Sequence, residues 1–197
     1  MKYPNSRFSL LIRSFCIPVA ALVVLAQAQA DANLSLKLEI GRALDKGVTW
    51  LNGEQNASSG NWGEPEYPAL TGLALRATLG HPEPALVGKF SKNQKAGFGF
   101  LMSKVQSDGG IYGKGLASYN TSICMMALLQ AKDAKYEETI RKARKFLINQ
   151  QADFDKKGEL DNTFDGGVGY GSRWAHSDLS NTHLAMEALF YAKHSLK

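Results

Sequence analysis

The feature that most constrains this chain is that it repeats itself. Three stretches carry the same succession of signals: an amphipathic segment, a Gln, a Gly-rich turn with an aromatic, and a second apolar segment opened by Thr. The first runs from about Leu36 to Gly80, the second from about Pro84 to Lys132, and the third from about Tyr136 to Lys193. The glutamines are Gln55, Gln106 and Gln151, at intervals of 51 and 45 residues, and the threonines are Thr71, Thr121 and Thr182. Periods of this length mark stacked supersecondary units, none of which can bury its apolar face alone.

The units are helical by pattern. Leu36, Ile40, Ala43, Leu44, Gly47, Val48 and Leu51 recur at the spacing of one helix face, as do Tyr136, Ile140, Ala143 and Leu147, and again Leu184, Ala185, Ala188, Leu189 and Ala192. The alternation Leu34, Leu36, Leu38, Ile40 would suit a strand, but the longer helical register prevails. Pro82 and Pro84 break the chain between the first two units. The run Ser177 to Asn181 offers N-cap side chains for the last helix. The expectation is an all-α chain of about six main helices in three antiparallel pairs.

Composition narrows the class further. With 44% hydrophobic and 21% charged residues the chain cannot be disordered for most of its length. Nineteen Gly, 6 Pro and 2 Cys fit neither a collagen-like nor a disulfide scaffold. The formal charge of +5 includes Lys2, Arg7 and Arg13 in the first thirty residues, leaving +2 for the remainder, so no nucleic-acid partner is expected. Those three basic residues, the apolar run Phe15 to Ala26, and Ala26-Gln27-Ala28-Gln29-Ala30 read as a secretory signal over 1–30, cleaved near Ala28 or Ala30. The run is too short for a stable membrane span and contains Pro18. The expected product is an exported, periplasmic or secreted, repeat domain over 31–197. Cleavage removes Cys16 and leaves Cys124, a buried small hydrophobe by its apolar surroundings.

Lys46-Gly47-Val48-Thr49-Trp50-Leu51, followed by Gln55, Gly60 and Trp62, resembles the QW motif of the squalene–hopene cyclase and protein-prenyltransferase superfamily. Gln106 to Tyr112 and Phe164 to Tyr170 resemble weaker copies. The resemblance covers nearly all of 31–197. It implies an α/α toroid with inner helices around a central cavity, here an open partial ring, because three units are fewer than such toroids need to close. Trp50, Gln55, Trp62, Tyr112 and Tyr170 then read as clasps between helix pairs. Trp62, Tyr112, Tyr170 and Trp174 are the aromatic candidates for contact with an apolar, isoprenoid-like ligand.

The catalytic signatures of that superfamily are missing. Its cyclases open an inner helix with Asp-x-Asp-Asp, whose middle acid protonates the polyene; the matching place here is Asp178-Leu179-Ser180-Asn181. Serine is far too weak an acid for that step. Asp178 is the one catalytic candidate, and as the N-cap of a helix it is expected to be an anionic cap and not an acid. The prenyltransferases place a zinc-binding Asp-x-Cys after a Gly-Gly-Phe turn; here Gly166-Gly167-Val168 precedes Asp178-Leu179-Ser180, without the thiolate. His176, Asp178 and His183 could replace it only poorly, so no metal and no cofactor are expected. Asn52-Gly53-Glu54-Gln55 resembles a complement-type thioester but lacks its Cys. Asp161, Asp165 and Asp178 could form a glycosidase pair, although acids in a Gly-rich loop are usually turn formers. The polar stretch from Gln151 to Phe164 is the expected specificity loop.

Three functional expectations follow. The first is an exported repeat protein binding an isoprenoid-like ligand without standard cyclase catalysis. The second is a non-catalytic scaffold for protein–protein interaction, with self-association through an apolar C-terminal edge. The third is a terpene cyclase, mutase or prenyltransferase whose remaining half is missing.

Overall fold

A computed structural model describes residues 33–171 and 176–196. The expected signal segment over 1–30, Cys16 and Trp174 lie outside the described residues. The chain divides into two compact units, Met1–Gly47 and Val48–Lys197.

Among the described residues the regular structure is helical: α1 (33–53), α2 (Pro68–Leu79), α3 (Pro84–Lys89), α4 (Ser91–Ser103), α5 (Ala117–Ala131), α6 (Glu137–Ile148) and α7 (Leu179–Ser195), with a 3-10 turn at Ala134–Tyr136. There is no strand among them; Val105 with Ile111 and Gln151 with Val168 form single antiparallel bridges. The all-α expectation therefore holds. None of these helices is long and apolar enough to cross a membrane.

Local chemistry sets the boundaries. Pro68 and Pro84 stand in the first turn of α2 and α3, where a missing N–H costs nothing. Pro84 thereby starts an extra short helix, where the sequence suggested only a break. On α6, Glu137 pairs with Arg141 and Glu138 with Lys142 at i, i+4, at 2.6 and 2.7 Å. The opposite face buries Tyr136, Ile140, Ala143 and Leu147 as expected.

The α1 expectation needs correction. Of its proposed apolar face only Val48 is buried and Leu51 is half-buried; Leu36, Ile40 and Leu44 are 55, 51 and 41% exposed. Leu36, Ile40 and Leu44 share one stripe, but helical periodicity marks a face fit for burial without saying that a neighbour covers it.

Within Val48–Lys197, α5 is the central element. It packs against α2, α6 and α7, while α4 packs on α2, and α6 on α7. Eleven of its fifteen residues are buried. Leu75, Leu101, Ile111, Met125, Leu128 and Leu147 are the largest enclosed apolar side chains of this core. Cys124 lies inside it, fully buried, and burial pushes its thiol up, away from the reactive thiolate.

Candidate functional site

The three turns share one hydrogen-bond scheme. The Gln side chain donates Nε2 to a carbonyl across its own turn: Gln55 to Gly60 at 2.7 Å, Gln106 to Tyr112 at 2.7 Å, and Gln151 to Gly166 at 2.9 Å. A glycine with positive φ bends each turn back: Gly60 (77°), Gly109 (91°) and Gly166 (79°). The threonine of the following helix, α2, α5 or α7, then accepts a backbone N–H into its Oγ1: from Trp62 to Thr71 at 3.0 Å, from Ile111 to Thr121 at 2.9 Å, and from Val168 to Thr182 at 2.9 Å.

This scheme corrects the sequence register. The residues equivalent to Trp62 are Ile111 and Val168, not Tyr112 and Tyr170, and all three are buried, at 5, 0 and 5% exposed. What the position requires is an apolar side chain whose N–H faces a hydroxyl; aromaticity is optional. Replacing Thr121 with Val leaves the buried Ile111 N–H without its acceptor and should cost about 1–3 kcal/mol, read by urea denaturation.

The turns also join neighbouring units. Gln55 Nε2 donates at 2.9 Å to the Asn93 carbonyl on α4, and Asn93 Nδ2 returns a bond at 3.2 Å to the Asn52 carbonyl on α1. A Cβ added to Gly60 would lie 2.6 Å from the Ala96 carbonyl oxygen of α4, and one added to Gly109 would lie 2.9 Å from the Lys142 carbonyl oxygen of α6. Each of these glycines therefore lets α4 or α6 approach backbone to backbone. Asn52 itself donates to Val48 O at 2.8 Å, a structural role within this joint.

The three described candidate ligand-contact residues, Trp62, Tyr112 and Tyr170, are each engaged locally. Trp62 donates Nε1 to the Leu51 carbonyl at 2.6 Å. Tyr112 donates its hydroxyl to Asp108 at 2.7 Å and lies beside Phe146, ring centroids 5.8 Å apart. Tyr170 lies beside Tyr119 at 6.4 Å. Trp50, expected to be a clasp, is instead 65% exposed: the turn folds Trp62 onto the Leu51 carbonyl at the end of α1 and leaves Trp50 uncovered beside it.

Tyr112 supplies a pH test. Desolvation first, then the hydrogen bond to Asp108 and its charge, push the phenol up to about 12 from 10.0. The unfolded chain loses this proton at lower pH than the native state, so stability falls between about pH 10 and 12 and is unaffected below. The loss attributable to this group is the part that disappears in Tyr112→Phe, measured by thermal melts across that range.

Asp178 is the N-cap of α7. Its carboxylate accepts the Asn181 backbone N–H at 2.8 Å and the Asn181 Nδ2 at 2.7 Å, and these bonds hold it below the usual carboxylate range. An anion stabilised in this way is a poor proton donor. Ser180 stands in the first turn behind it. Asp161 and Asp165 are turn formers, accepting the backbone N–H groups of Lys156, and of Phe154 and Asn162. Among the described residues no three His, Cys, Asp or Glu side chains gather to hold a metal ion, and no Asp or Glu is buried.

Besides a groove of about 650 Å³ among Leu128, Asp133, Ile140 and Leu196, three further open grooves bear on the candidate residues. One of about 480 Å³ lies among Trp50, Trp62, Leu70 and Leu73. One of about 520 Å³ lies beside the third turn, lined by Ile148, Gln151, Leu160 and Gly166 among others. The third, about 300 Å³, is bounded by Arg76, Met126, Gln130 and Tyr191. Arg76 reaches Glu187 of α7 at 3.4 Å, so α2 and α7, which both pack on α5, are also bridged directly. The stretch after Gln151, expected to set specificity, edges the second of these grooves.

No family profile, no curated protein and no solved structure matches this chain.

Proposed function

We propose that this chain is an exported, non-catalytic repeat scaffold, related in design to the squalene–hopene cyclase and prenyltransferase repeats, that docks protein through the open edges of its helix array. The observation that carries this reading is that α2 and α7 each expose large apolar side chains in mid-helix. Leu70 and Leu73 of α2 and Met186 and Phe190 of α7 are 41, 43, 65 and 58% exposed. Ligand chemistry has less support: no carboxylate is buried among the described residues, and Asp178 is held as an anion. The threefold Gln–Gly–Thr scheme supports the repeat design, and an open partial ring is the arrangement that fits it. The basic and apolar leader expected over 1–30 supports export.

A second reading, binding of an isoprenoid-like apolar ligand, is favoured by the groove at Trp50, Leu70 and Leu73. One experiment separates the two. A photocrosslinking benzophenone residue is placed at Leu73 or Phe190, with Lys145 on the exposed side of α6 as control, in cells that produce the protein. Protein adducts at the two edge positions and none at Lys145 are expected. Lipid adducts only, or turnover of squalene or a prenyl diphosphate by the purified chain, would overturn the scaffold reading.

A further inference from the structure

By repeat register, the exposed residues of the two edges correspond to residues that meet inside the chain between α2 and α5. Superposing the units on Thr71, Thr121 and Thr182 sets the register of α2, α5 and α7. Ile123 then corresponds to Leu73 and Leu184, Met125 to Leu75 and Met186, and Leu129 to Leu79 and Phe190. Between the first two units the α2 face meets the α5 face: a Cβ at Gly72 would lie 3.1 Å from Ile123 Cγ2, and Asn120 Oδ1 accepts the Ala69 N–H at 3.0 Å. Where such faces have a neighbour they are covered: Leu75 and Met125 are fully buried and Ile123 is 2% exposed. Met186 repeats Met125 but is 65% exposed, and Leu73 repeats Ile123 but is 43% exposed.

α1, α4 and α6 show the same pattern. The aromatic one residue before Leu101 and Leu147 is buried: Phe100 at 8% and Phe146 at 5%. Phe146 is covered by Tyr112 from the preceding turn. Trp50, one residue before Leu51, occupies the same place and is 65% exposed. Conversely, Gly60 and Gly109 press against a carbonyl of α4 and of α6, whereas a Cβ at Gly166 would meet only Gln151 Nε2 of its own turn, at 3.7 Å.

We infer that a second copy of this chain docks head to tail, the Met186–Phe190 face and Gly166 turn of one copy seating against Leu73, Leu70 and Trp50 of the next. This rests on the docking reading above and specifies its partner. The contact is heterologous, so it propagates into a closed ring or an open filament and does not stop at a two-fold dimer.

The test uses the full chain and two variants at exposed positions, Leu73→Asp for the head and Phe190→Asp for the tail, with circular dichroism to verify folding. If either aspartate variant fails to fold, Leu73→Ser and Phe190→Ser replace them. Sedimentation at about 100 µM, a tenfold excess over a Kd of about 10 µM, is the readout. The unaltered chain is expected to form species larger than a dimer. Each variant alone is expected to be monomeric, and an equimolar mixture of the two to give a 1:1 dimer that grows no further. A monomeric unaltered chain would overturn the inference. So would variants that still self-associate alone, or a mixture that stays monomeric. None of those outcomes touches the crosslinking result, on which the docking reading stands separately.

Discussion

Replacing Trp62 with alanine should lower the stability of the Val48–Lys197 unit by about 3–5 kcal/mol, the range for removing a large buried aromatic. Trp62 is 5% exposed and belongs to the main apolar core. Its Cζ3 lies where a Cβ on Gly97 would come within 2.9 Å, so the ring touches the backbone of α4. Its Nε1 ties the turn to the end of α1 through the Leu51 carbonyl. Trp62→Phe keeps most of the packing and loses that bond, so a deficit of about 1 kcal/mol is expected for it. Trp50→Ala, at an exposed site in the same unit, should stay within about 0.5 kcal/mol. Urea denaturation of the three variants provides the comparison; equal losses at Trp50 and Trp62 would refute the assignment of the clasp.

The second large effect is expected at the turn glycines. Gly109 has φ 91° and meets the Lys142 carbonyl; Gly60 has φ 77° and meets the Ala96 carbonyl. Alanine there adds about 1–2 kcal/mol of left-handed strain to a collision with helix backbone that cannot move alone. A total above about 3 kcal/mol is expected for each. At Gly166 the strain is the same but the space is open, so Gly166→Ala should cost only about 1–2 kcal/mol. The difference between Gly109→Ala and Gly166→Ala, measured in one denaturation series, isolates the packing of one unit on the next.

Much of this fold could be read from the residues, and the reasons are specific. Helix periodicity in Tyr136, Ile140, Ala143 and Leu147 maps directly onto burial, because these residues lie on a single stripe with charge opposite. The Gln, Gly and Thr of each turn were legible because their chemistry is narrow: an amide, a positive φ and a hydroxyl. The filler between them was not. Looking for an aromatic selects Tyr112 and Tyr170, whereas the position is defined by an N–H facing Thr, and Ile111 and Val168 satisfy that equally well. A ruler from the threonine would not have served either, since the turns differ in length. Trp50 was misplaced because a motif match does not say which side of a helix has a neighbour. The acids after Gln151 carry no catalytic geometry that spacing could reveal; their partners are the backbone amides of their own loop.

The enclosure of α5 has a consequence for how the chain is made. Its sequence, Ile123-Cys124-Met125-Met126-Ala127-Leu128, is apolar on every side and suited only to a place with neighbours all around. α2 and α4 are synthesised before it and can receive it at once. α6 follows within a few residues, but α7 does not begin until Leu179. For the synthesis of nearly fifty residues after Ala131, the side of α5 that packs on α7 has no native cover. An uncovered apolar helix of this kind is what holding chaperones recognise. Mutations that lengthen the 151–168 loop should therefore reduce yield through aggregation of the nascent chain, even where the finished protein is no less stable.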